Sequence, residues 1–498
     1  MNKTNKIMFL GTGSDVGKSV TATAFCRILK NRGFGVAPFK AQNMSNNSFV
    51  TLDGGEIGRA QAAQAEAAGC PATVDMNPVL LKPSSDVGAQ VVVQGKVWRN
   101  LAAGDYYRSK DELRRIVLES FTRLSAGYET IVIEGAGSCA ELNLRQNDIV
   151  NFDLALAVEA PVVLVADIDR GGVFAQVIGT LDIISKAERD LVAGCIINKF
   201  RGDPRLFADG IACIEQRTGK PVFGLVPVFR DVNVDMEDSM SLEAAAGDSA
   251  GPAAGKINIA VVRPPHVSNF TDVDALAHEP EVTVTWLEVP RRLSDYQAVL
   301  IPGSKSVIYD MTRLRLAGWP RALEDYLADS SGVVAGLCGG YQMLGRRIED
   351  PGGVEGQPSA CPGLGLLDIT TRIETIKQVR LSAGTDRLYL AAVTGYEIHM
   401  GRTGLGSEVQ PFLDLDNGTD GAVSPDGRVF GAYLHGLFDS GSFRAAFLSD
   451  LARRNGLAFD ADLPREDFGK IKDRNYDRLA AHFEKHVDVD RILQIMGC

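Results

Sequence analysis

The stretch GTGSDVGKS, from Gly11 to Ser19, constrains the fold more than any other part of the sequence. A short apolar run, residues 7–10, precedes it, and apolar side chains recur at helical spacing over residues 20–29. The order is therefore strand, glycine-rich turn and helix start. Successive backbone N–H groups in such a turn point inward, and the dipole of the following helix adds positive potential, so the turn binds phosphate.

Each residue type in this turn has an expected role in binding a nucleotide. We expect the backbone around Gly13 and Gly17 to surround the phosphates. Lys18 is expected to reach the β- and γ-phosphates, and the Ser19 hydroxyl is expected to bind Mg²⁺. The strict motif has a glycine where this sequence has Thr12, so the loop is a variant of that motif. A plain glycine turn between a strand and a helix is the alternative.

Length, charge and cysteine usage exclude several classes of protein. A chain of 498 residues has room for about two to four domains. Its net charge of −11 argues against a nucleic-acid-binding surface, although a local basic pocket for an anionic substrate is compatible with it. The eight cysteines include no CxxC pair, so we expect no zinc or redox site and a reducing compartment. No stretch has the apolar length of a signal peptide or a membrane span, so we expect a cytoplasmic protein with small-molecule substrates.

The first half of the chain alternates short β-branched runs with helical stretches. Most of these runs are apolar throughout, as expected for strands that are buried on both faces of a parallel sheet. We predict strands at Lys6–Leu10, Gly35–Phe39, Thr130–Glu134, Val162–Asp167, Ala193–Asn198 and Val222–Val226. In such a doubly wound α/β fold, ligands collect at the carboxyl ends of the strands.

A second α/β pattern follows an Ala- and Gly-rich stretch at Ser241–Gly255, whose composition is typical of an exposed linker. The tail after Phe443 has helical patterning. We therefore predict a nucleotide-binding domain at residues 1–240, a linker at 241–256 and a second doubly wound domain at 257–498. The predicted strands of the second domain are Ile257–Arg263, Ala298–Ile301, Gly332–Gly336 and Val429–Leu434.

Polar residues follow several predicted strands at the same edge of the sheet as the phosphate loop. Lys40 follows the second strand, and Glu134 ends the third. Mg²⁺ is usually held by one or two carboxylates together with phosphates and waters. We predict that Asp53 and Glu134 supply these carboxylates, with a helix cap or a solvated loop as the alternative role for each. Asn198 ends another strand, where its amide is a candidate for reading the adenine edge and an ordinary turn is an equal alternative.

Two further polar stretches have roles that their residues leave open. The stretch DMNPVLLKP, residues 75–83, is expected to form a loop that either faces substrate or is purely structural. Tyr396, Glu397 and His399, in GYEIHMGR, form a second polar cluster. We expect this cluster to bind substrate or to support a neighbouring site.

In the second half, GLCGG at residues 336–340 follows an apolar strand and precedes a predicted helix, residues 341–347. Glycines on both sides permit the sharp turn of a nucleophile elbow, with Cys338 in the nucleophile position. A helix N-terminus favours the thiolate form of such a cysteine, and a buried structural cysteine is the alternative. Of six histidines, His435 is best placed to act as the base, because it ends a predicted strand. Residues 302–304 are candidates for backbone N–H donors to an oxyanion.

These motifs resemble those of known families. GTGSDVGKS, Lys40 and EGAG resemble dethiobiotin synthetase and its amidotransferase relatives, which phosphorylate a carboxylate or carbamate with Mg-ATP. GLCGGYQMLG together with His435 resembles class I glutamine amidotransferase domains. Joined in one chain with KAQNMSNNS, DGGEIGRAQ, DMNPVLLKP and GYEIHMGRT, the motifs are similar to those of the cobyric acid synthase family over nearly the whole chain.

The resemblance implies an enzyme of cobalamin biosynthesis that uses ATP, Mg²⁺ and glutamine. Its reaction would be amidation of the b, d, e and g carboxyl side chains of adenosylcobyrinic acid a,c-diamide. It also implies a P-loop NTPase-type first domain and a flavodoxin-like, class I glutamine amidotransferase second domain. Two alternatives are a cobyrinic acid a,c-diamide synthase, which shares both domains but acts on other carboxyls, and a ParA-like ATPase switch, which needs no glutaminase.

The same resemblance assigns roles residue by residue. Many class I glutaminases place a glutamate two residues after the histidine, whereas this chain has Leu437 there. The site would then be a dyad or would use another residue to orient the base, and Glu397 is our candidate. Carried over by position, the roles are phosphates and acceptor for Lys18, Ser19 and Lys40, Mg²⁺ for Asp53 and Glu134, and glutamine hydrolysis for Cys338 and His435.

Overall fold

The computed structural model describes residues 4–85, 88–102, 109–229 and 251–498. Two compact units divide the chain, the first formed by Met1–Ser45, Gly55–Glu237 and Lys472–Cys498, the second by Asn46–Gly54 and Asp238–Ile471. This division differs from the predicted domains in two segments, because residues 46–54 belong to the second unit and residues 472–498 to the first. The predicted boundary at residue 240 and residues 241–250 of the predicted linker lie outside the described residues.

Residues 4–229 alternate strands and helices, as the sequence predicts. The strands are β1 (Asn5–Gly11), β2 (Val36–Phe39), β3 (Gln42–Met44), β4 (Ser48–Val50), β5 (Glu56–Gly58), β6 (Val79–Ser85), β7 (Gly88–Val93), β8 (Lys96–Ala102), β9 (Thr130–Glu134), β10 (Val162–Asp167), β11 (Val192–Phe200) and β12 (Val222–Pro227). The helices are α1 (Lys18–Asn31), α2 (Arg59–Ala68), α3 (Lys110–Gly127), α4 (Phe152–Ala157), α5 (Val173–Ile183), α6 (Lys186–Leu191) and α7 (Ala208–Thr218).

Residues 251–498 contain a second α/β pattern and a helical tail. The strands are β13 (Ile257–Val262), β14 (Val267–Ser268), β15 (Val282–Leu287), β16 (Ala298–Ile301), β17 (Gly303–Ser304), β18 (Val333–Leu337), β19 (Arg347–Asp350), β20 (Ser359–Pro362), β21 (Ile369–Asp386), β22 (Ala392–Leu405), β23 (Leu413–Leu415), β24 (Gly418–Asp420), β25 (Ala422–Val423) and β26 (Val429–Ala432). The helices are α8 (Asp274–Ala277), α9 (Val307–Leu316), α10 (Trp319–Asp329), α11 (Gly339–Leu344), α12 (Gly441–Asn455), α13 (Phe468–His486) and α14 (Val489–Met496).

The central sheet of the first unit has the strand order β12-β11-β10-β1-β9-β2, with every neighbouring pair parallel. All residues of β9 and β10 are buried, because helices cover both faces of the sheet. The predicted parallel sheet is confirmed. The carboxyl ends of its strands bring the phosphate loop, Lys40, Glu134, Asp167 and Asn198 to one edge.

A second, four-stranded sheet in the same unit has the order β3-β6-β7-β8. The prediction of a loop at residues 75–83 is wrong, because β6 begins at Val79. Val79 and Leu81 are buried and pair with Val93 and Val91 of the antiparallel strand β7. These cross-strand partners stabilise the strand, and the sequence of β6 by itself does not show that they are present.

The chain's last residues complete the core of the first unit. Tyr476, Phe483 and Ile492 are buried in a hydrophobic cluster that also contains Phe25 of α1 and Phe223 of β12. This burial is the physical reason that residues 472–498 belong to the first unit. The division between the units falls within α13, after its fourth residue.

A buried arginine adds charge pairing to this apolar contact. Arg27 of α1 is 3% exposed. Its guanidinium donates hydrogen bonds of 2.7 Å to the carboxylates of Asp473 and Asp477 on α13. These two carboxylates raise the pKa of Arg27 although burial lowers it. The helix α13 is thus fixed to α1, the helix that begins at the phosphate loop.

The second unit contains a sheet with the order β15-β13-β16-β18-β26-β25, parallel except for its last pair. A second sheet in this unit is built around the long antiparallel pair β21 and β22. Val50, from the segment 46–54, is buried with Tyr396 and Ile398 of β22. The predicted α/β class is confirmed for this unit as well.

Candidate active sites

The phosphate loop joins β1 to α1. Gly17 precedes the helix with a φ of 99°, and a Cβ at this position would lie 2.1 Å from Asn198 Nδ2, so glycine is required. Lys18 Nζ donates hydrogen bonds to the carbonyl oxygens of Gly137 at 2.8 Å and Gly13 at 3.3 Å. The ammonium group therefore lies over the loop, where it can reach the β- and γ-phosphates of a nucleotide.

Glu134 organises the polar side chains beside this loop. It is fully buried, and its Oε1 accepts hydrogen bonds from Ser19 Oγ at 2.8 Å and Lys40 Nζ at 2.9 Å. Its Oε2 accepts a hydrogen bond from Gln64 Nε2 at 2.6 Å. Our sequence reasoning missed Gln64, and the signal that could have found it is the pair Gln61 and Gln64 in the alanine-rich helix α2. A hydroxyl and a carboxylate oxygen lie 2.8 Å apart here, and both are ligand types that Mg²⁺ accepts.

Asp53 and Asn198 were also predicted to belong to the nucleotide site, and each has a different set of contacts. Asp53 belongs to the second unit, where it accepts a hydrogen bond from the Thr51 hydroxyl. The predicted carboxylate pair Asp53 and Glu134 is therefore not found within either unit. Asn198 Nδ2 donates to the carbonyl of Val16 at 2.9 Å, so this amide group supports the loop backbone. Among the described residues, no group of three His, Cys, Asp or Glu side chains could hold a metal ion by itself.

The nucleophile elbow lies between β18 and α11. Cys338 has φ 50° and ψ −106°, a strained conformation for a residue with a side chain and one that often marks a functional site. A Cβ at Gly339 would lie 2.6 Å from the backbone nitrogen of Ser304, so the turn packs directly against the segment predicted to stabilise an oxyanion. The Cys338 thiol donates a hydrogen bond of 3.6 Å to the carbonyl of Ile398.

His435 is buried, and its imidazole interacts electrostatically with the sulfur of Cys338. Its Nδ1–H donates to Asp272 Oδ2 at 2.7 Å, and the backbone N–H of Gly436 donates to Asp272 Oδ1 at 3.1 Å. Burial alone lowers the pKa of His435, but the Asp272 carboxylate and the Cys338 sulfur raise it to about 10. The side chains form a Cys–His–Asp constellation, and nothing in the sequence distinguishes Asp272 from its neighbour Asp274.

The hypothesis that Glu397 orients His435 is wrong, because Glu397 has other partners. It accepts hydrogen bonds from Arg380 Nη2 at 2.8 Å and Ser382 Oγ at 2.6 Å. Burial alone raises the pKa of Glu397, but hydrogen bonds from His399, Arg380 and Ser382 lower it to about 2. The residue stays ionised and fixes the strand β22, whose Ile398 carbonyl contacts the nucleophile.

The segment 46–54 packs beside the turn that carries the orienting carboxylate. The backbone N–H of Ser48 donates to Asn269 Oδ1 at 3.1 Å. In return, the backbone N–H of Phe270 donates to Asn47 Oδ1 at 3.3 Å. Part of KAQNMSNNS, a motif of the first half of the sequence, is therefore built into the second unit next to its Cys–His–Asp constellation.

Two family models match the chain, one for each half of the sequence. Residues 7–242 match the CobQ/CobB/MinD/ParA nucleotide binding domain. Residues 258–443 match the CobB/CobQ-like glutamine amidotransferase domain. The phosphate loop lies within the first match, and the Cys–His–Asp constellation lies within the second.

Curated relatives match over the full length. The chain is 48% identical to a cobyric acid synthase of Chlorobium phaeobacteroides (strain BS1), with 98% of both chains covered. It is 46% identical to a cobyric acid synthase of Syntrophobacter fumaroxidans, covering 100% of this chain and 99% of the relative. It is 48% identical to a cobyric acid synthase of Paracoccus denitrificans, covering 98% of this chain and 99% of the relative.

Solved structures match only part of the chain. A crystal structure of a glutamine amidotransferase covers 39% of this chain and 98% of its own, at 17% identity and a TM-score of 0.31. The structure of PurLQS from Thermotoga maritima covers 39% of this chain and 99% of its own, at 15% identity and a TM-score of 0.29. At these scores, the similarity carries no argument. Within the described residues, no helix combines the length and apolarity needed to cross a membrane.

Proposed function

Because the chain belongs to the cobyric acid synthase family, an amidating family of cobalamin biosynthesis, we propose that it amidates the b, d, e and g carboxyl side chains of adenosylcobyrinic acid a,c-diamide. Glutamine supplies the nitrogen, and ATP activates each carboxylate. The observation that supports this proposal is the presence of two sites in one chain, a phosphate loop and a Cys–His–Asp constellation. An ATPase switch needs only the first of these sites.

The second unit hydrolyses glutamine in this proposal. Cys338 attacks the carboxamide carbon as a thiolate, which a protonated His435 stabilises. His435 gives its proton to the departing ammonia, and water then releases glutamate from the thioester. Asp272 keeps the imidazole oriented and stabilises its charged form, since it accepts the Nδ1–H at 2.7 Å. Backbone N–H groups beside the elbow stabilise the oxyanion.

The first unit activates the acceptor. Lys18 neutralises charge on the β- and γ-phosphates while a substrate carboxylate attacks the γ-phosphorus, and ADP leaves. Ser19 and Glu134 are the residues that would hold Mg²⁺, since their oxygens lie 2.8 Å apart. The ion would supply further charge neutralisation at the phosphates. Ammonia then displaces phosphate from the acyl phosphate to give the amide.

Mass spectrometry of the corrinoid product tests the proposed substrate. Each conversion of an acid to an amide lowers the mass by about one unit, because the OH group of the carboxylic acid is replaced by NH₂. Incubation of the purified protein with ATP, Mg²⁺ and glutamine is expected to convert the a,c-diamide into a product with four such losses. Two losses, starting from the unamidated acid instead, would indicate a cobyrinic acid a,c-diamide synthase. No losses would overturn the proposal.

A pair of variants separates the two half-reactions. Cys338→Ala is expected to abolish amidation with glutamine and to retain it with high external ammonia, because only ammonia release needs the thiol. Lys18→Ala is expected to abolish amidation from either nitrogen source. The control is the melting temperature, which shows whether Cys338→Ala is folded. If this variant has an unchanged melting temperature but loses both activities, Cys338 is not the residue that liberates ammonia.

A further inference from the structure

Asp310 is a buried carboxylate of the second unit that no step described so far uses. It lies in the first turn of α9 and is 0% exposed. Burial of a charged group costs free energy unless the group is hydrogen-bonded or paired, so the groups that bind to this carboxylate indicate its role. Its hydrogen-bond donors come from two segments that are distant in the sequence, at residues 266 and 304.

Three hydrogen bonds hold the Asp310 carboxylate. Its Oδ2 accepts from the Ser304 hydroxyl at 2.6 Å and from the backbone N–H of His266 at 3.1 Å. Its Oδ1 accepts from His266 Nδ1–H at 2.8 Å, since an ionised carboxylate can only accept. One buried side chain therefore joins Ser304 to His266.

The two segments that Asp310 joins also pair with each other. β14 lies antiparallel to β17, so that Val267 pairs with Ser304. The backbone N–H of Lys305 donates to the carbonyl of His266 at 2.9 Å. Each strand has only two residues, and a two-stranded ladder of this length is marginally stable by itself. The position of β17 therefore depends on the side-chain hydrogen bonds to Asp310.

β17 lies against both reactive groups of the glutaminase site. A Cβ at Gly339 of the elbow would lie 2.6 Å from the backbone nitrogen of Ser304. A Cβ at Gly303 would lie 3.6 Å from Cε1 of His435. Backbone N–H groups in this position are suited to bind the oxyanion that forms when the nucleophile attacks a carboxamide.

Asp272 has supports of its own, so an effect on the base can be separated from an effect on the oxyanion. The backbone N–H of Gly436 donates to Asp272 Oδ1 at 3.1 Å, and the backbone N–H of Asp272 donates to the Asn269 carbonyl at 3.1 Å. Neither contact involves Asp310. Loss of Asp310 is therefore expected to displace β17 and to leave the pair of Asp272 and His435 in place.

We propose that Asp310 is a positioning residue of the glutaminase, which through Ser304 and His266 holds the backbone N–H groups of residues 303–304 where the oxyanion forms. The inference rests on the proposed function, in which the Cys338 thiolate attacks the glutamine carboxamide. In that step the sulfur–carbon bond forms, the π electron pair of the carbonyl moves onto its oxygen, and these N–H groups stabilise the resulting negative charge. A displaced β17 weakens this stabilisation, which is realised only in the transition state.

Steady-state glutaminase kinetics of the full-length protein test the proposal. Asp310→Ala and Ser304→Ala are each expected to lower kcat about 10- to 100-fold, against about 10²–10³-fold when an oxyanion donor is lost completely. The KM for glutamine is expected to change by less than about twofold, because the uncharged ground state gains little from these N–H groups. Asp310→Asn retains one acceptor oxygen and is expected to recover part of the lost kcat.

Alkylation of Cys338 by iodoacetamide separates this role from a general disturbance of the site. Iodoacetamide reacts with a thiolate by displacement of iodide at its CH₂ group and forms no oxyanion, so its rate depends on the thiolate and its accessibility. The rate, followed by mass spectrometry of the peptide that contains Cys338, is expected to stay within about twofold of the unaltered protein in Asp310→Ala and Ser304→Ala.

The matched control is Asp386→Ala, which removes another buried carboxylate of the second unit. Asp386 is 1% exposed and accepts hydrogen bonds from the backbone N–H groups of Leu388 and Ala391 in its own turn. This control is expected to keep its kcat. If Asp310→Ala does not fold, Ser304→Ala tests the proposal, since it removes only one hydroxyl.

Three results would overturn the proposal. The first is an unchanged kcat in Ser304→Ala or in a folded Asp310→Ala. The second is a loss of alkylation rate as large as the loss of kcat, which would mean that the thiolate itself is disturbed. The third is an equal loss of kcat in Asp386→Ala.

Failure of this inference is distinguishable from failure of the proposed function. If the unaltered protein hydrolyses glutamine and Ser304→Ala does so with an unchanged kcat, the function stands and the oxyanion is stabilised without Asp310. If the unaltered protein hydrolyses no glutamine in the presence of ATP and the corrinoid, the proposed function itself fails.

Discussion

The backbone N–H of Ser48 donates a hydrogen bond of 3.1 Å to the side chain of Asn269, a residue 221 positions further along the chain. Both residues belong to the second unit. Asn269 has a φ of 50°, and its carbonyl accepts the backbone N–H of Asp272 at 3.1 Å. The segment 46–54 therefore stabilises the turn that holds the carboxylate partner of His435.

Replacement of Asn269 tests whether this contact positions the constellation. Asn269→Ala is expected to lower the glutaminase kcat about tenfold, because the turn loses the three hydrogen bonds that join this side chain to the Ser48 backbone and the Tyr396 hydroxyl. Amidation with external ammonia is expected to be unchanged. Asn455→Ala is the control, since Asn455 makes a local hydrogen bond to Leu451 on α12. Equal effects of the two substitutions would argue against a positioning role.

Asp272→Asn is expected to lower the pKa of His435 strongly, because the carboxylate that raises this pKa to about 10 is removed while burial remains. The glutaminase kcat is expected to fall by about 10²–10⁴-fold, as for other bases that lose their orienting carboxylate. The ¹⁵N shift of the histidine ring against pH measures the change. Glu397→Gln is expected to leave that titration in place, since Glu397 pairs with Arg380 instead.

The same raised pKa predicts a pH dependence of stability. A histidine whose pKa is higher in the folded state stabilises that state fully below the ordinary pKa of about 6.5, and the stabilisation is lost as the pH rises through the folded value. The free energy of unfolding of the second unit is therefore expected to fall between about pH 6.5 and 10, the folded pKa of His435. Asp272→Asn is expected to make the free energy of unfolding less dependent on pH in this range. An unchanged pH dependence would contradict the interaction of Asp272 with His435 as its cause. Urea denaturation at a series of pH values measures it.

Glu134→Gln is expected to remove ATP-dependent amidation and to leave the glutaminase active. Glu134 is 0% exposed and its partner Lys40 is 2% exposed, so the substitution breaks a buried ion pair. Breaking such a pair typically lowers the free energy of unfolding by about 3–5 kcal/mol. Glu129→Gln is the control, because this exposed residue accepts one bond from the backbone of Gly35. A stability loss no larger than that of the control would contradict the prediction.

Removal of residues 472–498 is expected to unfold the first unit, although these residues lie at the far end of the sequence. Tyr476, Phe483 and Ile492 cover the cluster around α1, and burial of each such side chain contributes about 1.5–3 kcal/mol. A fragment ending at residue 240 is expected to be insoluble or molten by near-ultraviolet circular dichroism. Co-expression with residues 468–498 is expected to restore it. A soluble, cooperatively folding fragment without the tail would contradict the role of this segment.

The local parts of the fold and of both sites could be predicted from the sequence. Apolar runs of the right length predicted the central strands, because a strand buried on both faces of a parallel sheet is apolar throughout, whichever strands lie beside it. The glycine-rich turns around Lys18 and Cys338 are equally local, since a sharp turn between strand and helix requires particular residues at particular spacings. The class of fold and the two reactive groups follow from these patterns.

The partners of those groups were decided by tertiary structure. Asp272 reaches His435 across 163 residues, and Gln64 reaches Glu134 across 70, so no local pattern marks either contact. The exchange of segments 46–54 and 472–498 between the units has the same origin. Backbone conformation depends mainly on residues that are neighbours in the sequence. The residues that cover an apolar helix face, or that hydrogen-bond to a single carboxylate, are brought there only by the complete tertiary structure.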